Sequence, residues 1–156
     1  ITRASEQLLA MKLIEQEKVG KEIRMFRKYE PQQMFEKAKS YLINPVQKKM
    51  AVRVEEMDAE WLYAGESALG QYSMLNEPKV PEIAIYKGAM NRAVQEVDIR
   101  WEDAGEVCVI ELWKYNPFLF SKDGKVDPVS LACSLAGCED ERVELAIEEM
   151  LEEVQW

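Results

Sequence analysis

The chain has 156 residues, with 20 Lys+Arg against 29 Asp+Glu for a formal net charge of −9, 47% hydrophobic residues and no histidine. The lack of histidine excludes Ser-His-Asp and Cys-His nucleophiles, an imidazole general base and any His-containing zinc site. The length suits one domain or two small ones, and no apolar run approaches the ~18 residues that a membrane-spanning helix needs.

Ile1, Ala4, Leu8 and Met11 recur at helical spacing, with Leu9 and Leu13 widening the apolar face, so residues 1–13 predict a helix. The stripe runs from the first residue with no capping Ser, Thr, Asp or Asn before it, so the chain is expected to be a piece of a longer protein. Residues 13–17 and 22–27 alternate in character around Lys18-Val19-Gly20-Lys21, where Gly20 can supply positive φ. That pattern predicts a β-hairpin with a basic tip. Pro31 fits the first turn of a second helix over about residues 32–42, with Met34, Phe35, Ala38, Tyr41 and Leu42 on one stripe and Asn44-Pro45 as its stop. Residues 46–54 alternate as a strand.

Past that point, a helix from Glu66 to Leu75, an extended link over residues 77–81, a strand over 82–86, a short helix over 89–95 and a strand over 97–101 are expected. Residues 106–113 (EVCVIELW) form the most β-rich segment and predict a central strand. A loop over 116–128, a short helix over 129–135 and an amphipathic helix over 141–154 follow, the last with Val143, Ala146, Ile147, Met150, Leu151 and Val154 inward. Cys108, Cys133 and Cys138 read as reduced thiols, with a Cys133–Cys138 bridge left open by their spacing.

Charge is spread unevenly. Residues 1–54 hold 12 Lys+Arg and 6 Asp+Glu, net +6, while residues 55–156 hold 8 and 23, net −15. A basic segment on an acidic chain points to nucleic-acid contact there, against the plainer reading of a solvated basic face. Thr2, Arg3 and Gln7 fall outside the apolar stripe of the first helix, and these residue types bond phosphates or base edges. Lys18, Lys21, Arg24, Arg27 and Lys28 supply phosphate contacts, with Glu15, Glu17 and Glu22 weakening the field between them.

Gly65-Glu66-Ser67-Ala68-Leu69 differs from the G-x-S-x-G nucleophile elbow at Leu69, and no histidine exists to take the serine proton. Glu66 and Ser67 are instead expected to satisfy free N–H groups of a helix's first turn. Asp103, Glu106 and Glu111 near Lys114 suggest the carboxylate-lysine set of Mg²⁺-dependent nucleases. Residues 111 and 114 of one strand face opposite ways, however, and this favours surface charge. The four tryptophans are expected to anchor core and loops.

Ile1-Thr2-Arg3-Ala4, Leu8-Leu9 and Lys12-Leu13-Ile14-Glu15, followed by the Gly-turned hairpin, resemble the recognition helix and wing of MarR-like winged helix-turn-helix regulators. The family's usual wording is I-T-R-A…L…G-L-I-E, and Lys12 stands where that glycine ends the helix. The earlier helices of a winged helix are missing. Beyond Phe35, Ala64-Gly65-Glu66-Ser67-Ala68-Leu69, Tyr72-Ser73-Met74-Leu75, Asp127-Pro128-Val129-Ser130-Leu131 and Glu139-Asp140-Glu141-Arg142-Val143 are similar to the C-terminal domain of AbiEi-type antitoxins of type IV toxin–antitoxin systems.

The expected fold is therefore α+β: a partial winged helix over residues 1–30 (recognition helix plus β-hairpin wing), a helical connector over 31–45 and a mixed α/β antitoxin-like domain over 46–156. The resemblance implies a cytoplasmic bacterial DNA-binding transcriptional regulator acting on double-stranded DNA through Thr2, Arg3, Gln7, Lys18, Lys21, Arg24 and Arg27. It also implies a partner-binding role for Glu66 and Ser67 toward a cognate toxin or homodimer partner. No catalytic residue, metal, cofactor or membrane contact is expected. The alternative is an antitoxin or protein-interaction module that does not bind DNA directly.

Overall fold

A computed structural model describes residues 2–90 and 93–156 as an α+β chain with five α-helices and two sheets among those residues. It divides into two compact units, residues 1–43 with 155–156, and residues 44–154. Residues 31–43 fall in the first unit, and the second begins at Asn44.

The first unit contains helix α1 (Arg3–Ala10), strands β1 (Ile14–Val19) and β2 (Glu22–Arg27), and helix α2 (Pro31–Ala38). Thr2 caps α1, its hydroxyl accepting from the Ser5 N–H, and shares a 2.9 Å hydrogen bond with the Ser5 hydroxyl. The other end of α1 closes through Lys12, whose φ is +58. The Lys12 N–H donates to the Leu9 carbonyl (2.9 Å) and the Leu13 N–H to the Leu8 carbonyl (3.0 Å), the paired bonds of a Schellman stop. The lysine therefore takes the left-handed place that glycine usually fills, and α1 ends three residues before the expected Leu13. The apolar stripe's first member, Ile1, lies outside the described residues.

The hairpin forms with a two-residue turn, Gly20 at φ +65 followed by Lys21, between the paired Val19 and Glu22. A positive φ at the first central residue alone is the II′ pattern, whose twist matches that of paired strands. Its base is tied to the end of α1 by the Lys28 N–H donating to the Leu13 carbonyl, 3.1 Å. Pro31 opens α2, where a missing N–H is harmless. Leu13 and Phe35 are the buried apolar side chains described in this unit, and the Phe35 ring stacks on Trp156 with centroids 5.1 Å apart.

The second unit is built on a four-stranded sheet in the order β3-β6-β5-β4, from β3 (Val46–Arg53), β4 (Leu62–Tyr63), β5 (Glu82–Tyr86) and β6 (Val107–Trp113). β6 is central as expected, antiparallel to β3 and parallel to β5. A parallel neighbour needs a long crossover, and residues 87–106 supply it. Helices α3 (Gly65–Tyr72), α4 (Pro128–Ser134) and α5 (Glu141–Glu152) cover one face of the sheet, with Ala68, Leu69, Leu131, Val143, Ala146 and Met150 packed against Ala84 and Trp113. The opposite face buries Val52, Ile83, Ile85, Cys108 and Ile110 beneath Met57, Met90 and Val94.

Two elements expected in the crossover are not formed among the described residues. Residues 97–101 do not form a strand: Ile99–Trp101 is a single 3₁₀ turn capped by Asp98, whose carboxylate accepts from the Arg100 N–H. That segment touches the sheet through one backbone bond, Val97 N–H to Ala51 carbonyl at 2.9 Å. The short helix expected over 89–95 is not formed by the described residues, which hold a 3₁₀ turn at Lys87–Ala89 and irregular chain at 93–95; Asn91 and Arg92 lie outside them. All three cysteines are free.

Candidate nucleic-acid interface and a buried charge cluster

On α1, Arg3, Glu6, Gln7 and Ala10 are exposed and share one stripe at i, i+3, i+4 and i+7, while Leu8, Leu9 and Met11 are half-buried. The fold thus brings Arg3 and Gln7 together on an open helix face. Thr2 does a different job, since its hydroxyl is committed to the cap.

On the hairpin, residues 15–28 are all exposed. Lys18 and Lys21 make no ion pair among the described residues, whereas Arg24 pairs with Glu22 at 3.7 Å, Arg27 with Glu30 at 3.2 Å and Lys28 with Glu15 at 3.2 Å. Such exposed pairs contribute at most ~1 kcal/mol, so these cations exchange partners easily.

The electrostatics follow the units rather than the N-terminal third. Residues 1–43 hold 9 Lys+Arg and 6 Asp+Glu, net +3, and residues 44–154 hold 11 and 23, net −12. The difference from +6 is Lys48, Lys49 and Arg53, which lie on β3 and are each paired with acids of their own unit. Lys48 meets Glu96 at 3.7 Å and Arg53 meets Glu102 at 2.9 Å.

Lys49 is held differently. Its ammonium lies 2.8 Å from Glu111 Oε1 and 3.4 Å from Glu82 Oε1. The register explains the meeting: Lys49 is opposite Glu111 on the antiparallel β3–β6 pair, and Glu82 is diagonal to Glu111 across the parallel β5–β6 pair. Glu111 is fully buried, its Oε2 accepting from the Trp113 indole N–H at 2.9 Å, and its Oε1 receives no well-aligned hydrogen bond beside the ionic contact. Burial works against the charge of Lys49, but Glu111 and then Glu82 outweigh it and hold the ammonium's pKa above its ordinary 10.5.

Expected surface charge at position 111 is therefore corrected: the carboxylate is interior, and its cation comes from β3 rather than from Lys114. The Lys114 ammonium donates to the Asn44 carbonyl at 2.9 Å. Asp103 and Glu106 stand exposed before β6, and among the described residues no three metal-ligating side chains converge.

Glu82 also explains the Gly65-Glu66-Ser67 segment. Its Oε2 accepts from the Glu66 N–H at the start of α3, while its own N–H donates to Ser67 Oγ at 2.9 Å. Gly65 has φ +52, and a Cβ there would collide with the Glu82 carboxylate. The cap comes from a neighbouring strand, not from Glu66 and Ser67 as local reading expects. Ser67 is 2% exposed with its hydroxyl engaged, so of the two only Glu66 is open, and only in part. Sequence spacing carried no sign of this arrangement, because its partners are 15 and 16 residues apart across a loop.

In comparisons with known proteins, no family model matches the chain, and neither a curated protein nor a solved structure is significantly similar to it.

Proposed function

We propose that the chain is a cytoplasmic DNA-binding transcriptional regulator of the MarR-like winged-helix kind, with an AbiEi-like antitoxin domain as its second unit. The observation that carries this reading is the first unit's joint: an open helix stripe with Arg3 and Gln7, closed by a Schellman stop into a hairpin bearing Lys18 and Lys21, which make no ion pair among the described residues. In this role α1 lies in the major groove, where Arg bonds guanine and Gln bonds adenine, and Lys18 and Lys21 of the hairpin meet phosphates. The Thr2 hydroxyl fixes the start of α1, and its backbone N–H belongs to the set of free amides that favours a nearby phosphate. No helix of the described residues is long and apolar enough to cross a membrane.

The test is binding of the full chain to the duplex upstream of its own gene against a scrambled duplex of equal length. Arg3→Ala and Gln7→Ala should each lower the preference for the true site by roughly 5- to 150-fold, since a good base contact is worth ~1–3 kcal/mol. Equal affinity for both duplexes, unchanged by these substitutions, would sink the assignment.

A protein-interaction role without DNA is the second reading, favoured by the exposed run Phe118-Leu119-Phe120 in the acidic unit. The run is held by the Asn116 side chain accepting from the Phe118 N–H and by the Ser121 hydroxyl donating to the Phe118 carbonyl. It predicts a stable complex with a protein partner that Phe120→Ser abolishes, with no duplex binding by the chain.

A further inference from the structure

The hairpin has two faces of different chemistry. Cross-strand partners share a face and successive pairs alternate, so Ile14/Arg27, Gln16/Met25 and Lys18/Ile23 form one face, and Glu15/Phe26, Glu17/Arg24 and Val19/Glu22 the other. The first face carries Lys18 and Arg27 and no acid of its own, although Arg27 pairs with Glu30 beyond the strand at 3.2 Å, so Lys18 is its open cation. The second carries three glutamates against one arginine, which is itself paired with Glu22 at 3.7 Å.

Both faces are open, with Ile23 at 50% and Met25 at 38% exposed on the first, and Val19 at 43% and Phe26 at 49% on the second. Exposure therefore does not choose between them, but charge does. A polyanion is attracted to the face with Lys18 and Arg27 and repelled by the one with Glu15, Glu17 and Glu22.

The geometry points to one-sided docking of the hairpin on duplex DNA, through Gln16, Lys18, Ile23 and Met25 with Lys21 at the turn, leaving Arg24 and Phe26 turned away. This rests on the DNA-binding reading above and divides the hairpin's cations: Lys18 touches phosphate and Arg24 does not. Gln16 adds an uncharged donor on the docking face. Ile23 and Met25 place two apolar side chains beside Lys18, the composition of groove-binding elements that set apolar groups against sugars and base edges.

The experiment uses the full chain and a fluorescein-labelled 30-base-pair duplex, with affinity followed by anisotropy from low to physiological salt. Lys18→Gln should weaken binding about 3- to 10-fold and flatten the salt slope by about 0.9, the yield of one phosphate contact. Arg24→Gln should leave both within twofold. Hydroxyl-radical labelling with and without duplex is the second readout: Ile23 and Met25 become protected, while Val19 and Phe26 keep their reactivity. If Arg24→Gln weakens binding as much as Lys18→Gln, or Phe26 is protected as strongly as Met25, one-sided docking is wrong although DNA binding stands. If the unsubstituted chain binds no duplex, the DNA-binding reading falls and takes this inference with it.

Discussion

Replacing Gly65 by alanine acts on the joint between β5 and α3, where three separate effects meet. An L-residue at φ +52 is held in the left-handed region, which costs ~1–2 kcal/mol. The new Cβ would displace the Glu82 carboxylate from the Glu66 N–H, and a lost helix cap costs ~1 kcal/mol. Alanine also restricts the unfolded chain, which returns ~0.4–1 kcal/mol. The net loss is about 2 kcal/mol, or roughly 10 °C in Tm for a unit of this size. In a Glu82→Ala background the cap is already gone, so the same substitution should then cost only about 1 kcal/mol. The double-mutant cycle therefore closes short of additivity by about 1 kcal/mol. Urea denaturation of the full chain reads this, followed by near-UV circular dichroism, in which the fully buried Trp113 reports the second unit. Additive losses, or a neutral Gly65→Ala, would refute the capping role given to Glu82.

Lys49→Met leaves the Glu111 carboxylate buried beside only the Trp113 N–H and should destabilise by about 2–3 kcal/mol, while Lys49→Met with Glu111→Leu should recover most of that loss in the same denaturation assay. Because the Lys49 pKa is raised in the fold, its stabilisation is complete below the unfolded value of 10.5 and is lost as pH rises beyond it, so the unsubstituted chain should lose stability above that pH more steeply than the double variant. Lys12→Gly relieves the left-handed strain at the end of α1 and should slow amide exchange in α1 by several-fold, for a net gain of about 0.5–1 kcal/mol. Burial raises the Cys108 thiol above its ordinary 9.0, so a disulfide reagent at neutral pH should modify Cys108 only after unfolding, with urea-dependent kinetics as the check.

Much of the fold could be read from short-range pattern. The alternation of Val46–Arg53, the β-rich run Val107–Trp113, Pro31 at a helix start and Gly20 in a two-residue turn each act within a few residues, and each element began where expected, although the second helix stops at Ala38, short of the expected residue 42, leaving Tyr41 and Leu42 exposed. The failures have two causes, a local side chain that overrides the pattern, as at Lys12 and Asp98, and a deciding partner that is distant in sequence. Residues 97–101 have the composition of a strand but make only one backbone bond to β3, so the Asp98 side chain wins locally and winds the chain into a turn.

Glu111 looks like surface charge until the register sets Lys49 opposite it, 62 positions earlier in the chain. The charge split misled for the same reason. Lys48, Lys49 and Arg53 extend the basic N-terminal stretch in sequence, yet β3 places them among the acids of the second unit. The hairpin's two-sidedness, by contrast, follows directly once the Gly20 turn fixes the register, since a one-residue slip would exchange the faces.

The salt dependence of duplex binding by the full chain tests the central claim most directly. Contacts from Lys18, Lys21 and Arg27 to phosphates would give a log–log slope of about −2.5 to −3, at ~0.9 per contact, and Lys21→Ala should flatten it by about one. A flat salt response, or a slope that Lys21→Ala leaves unchanged, would contradict the assignment of the first unit to DNA.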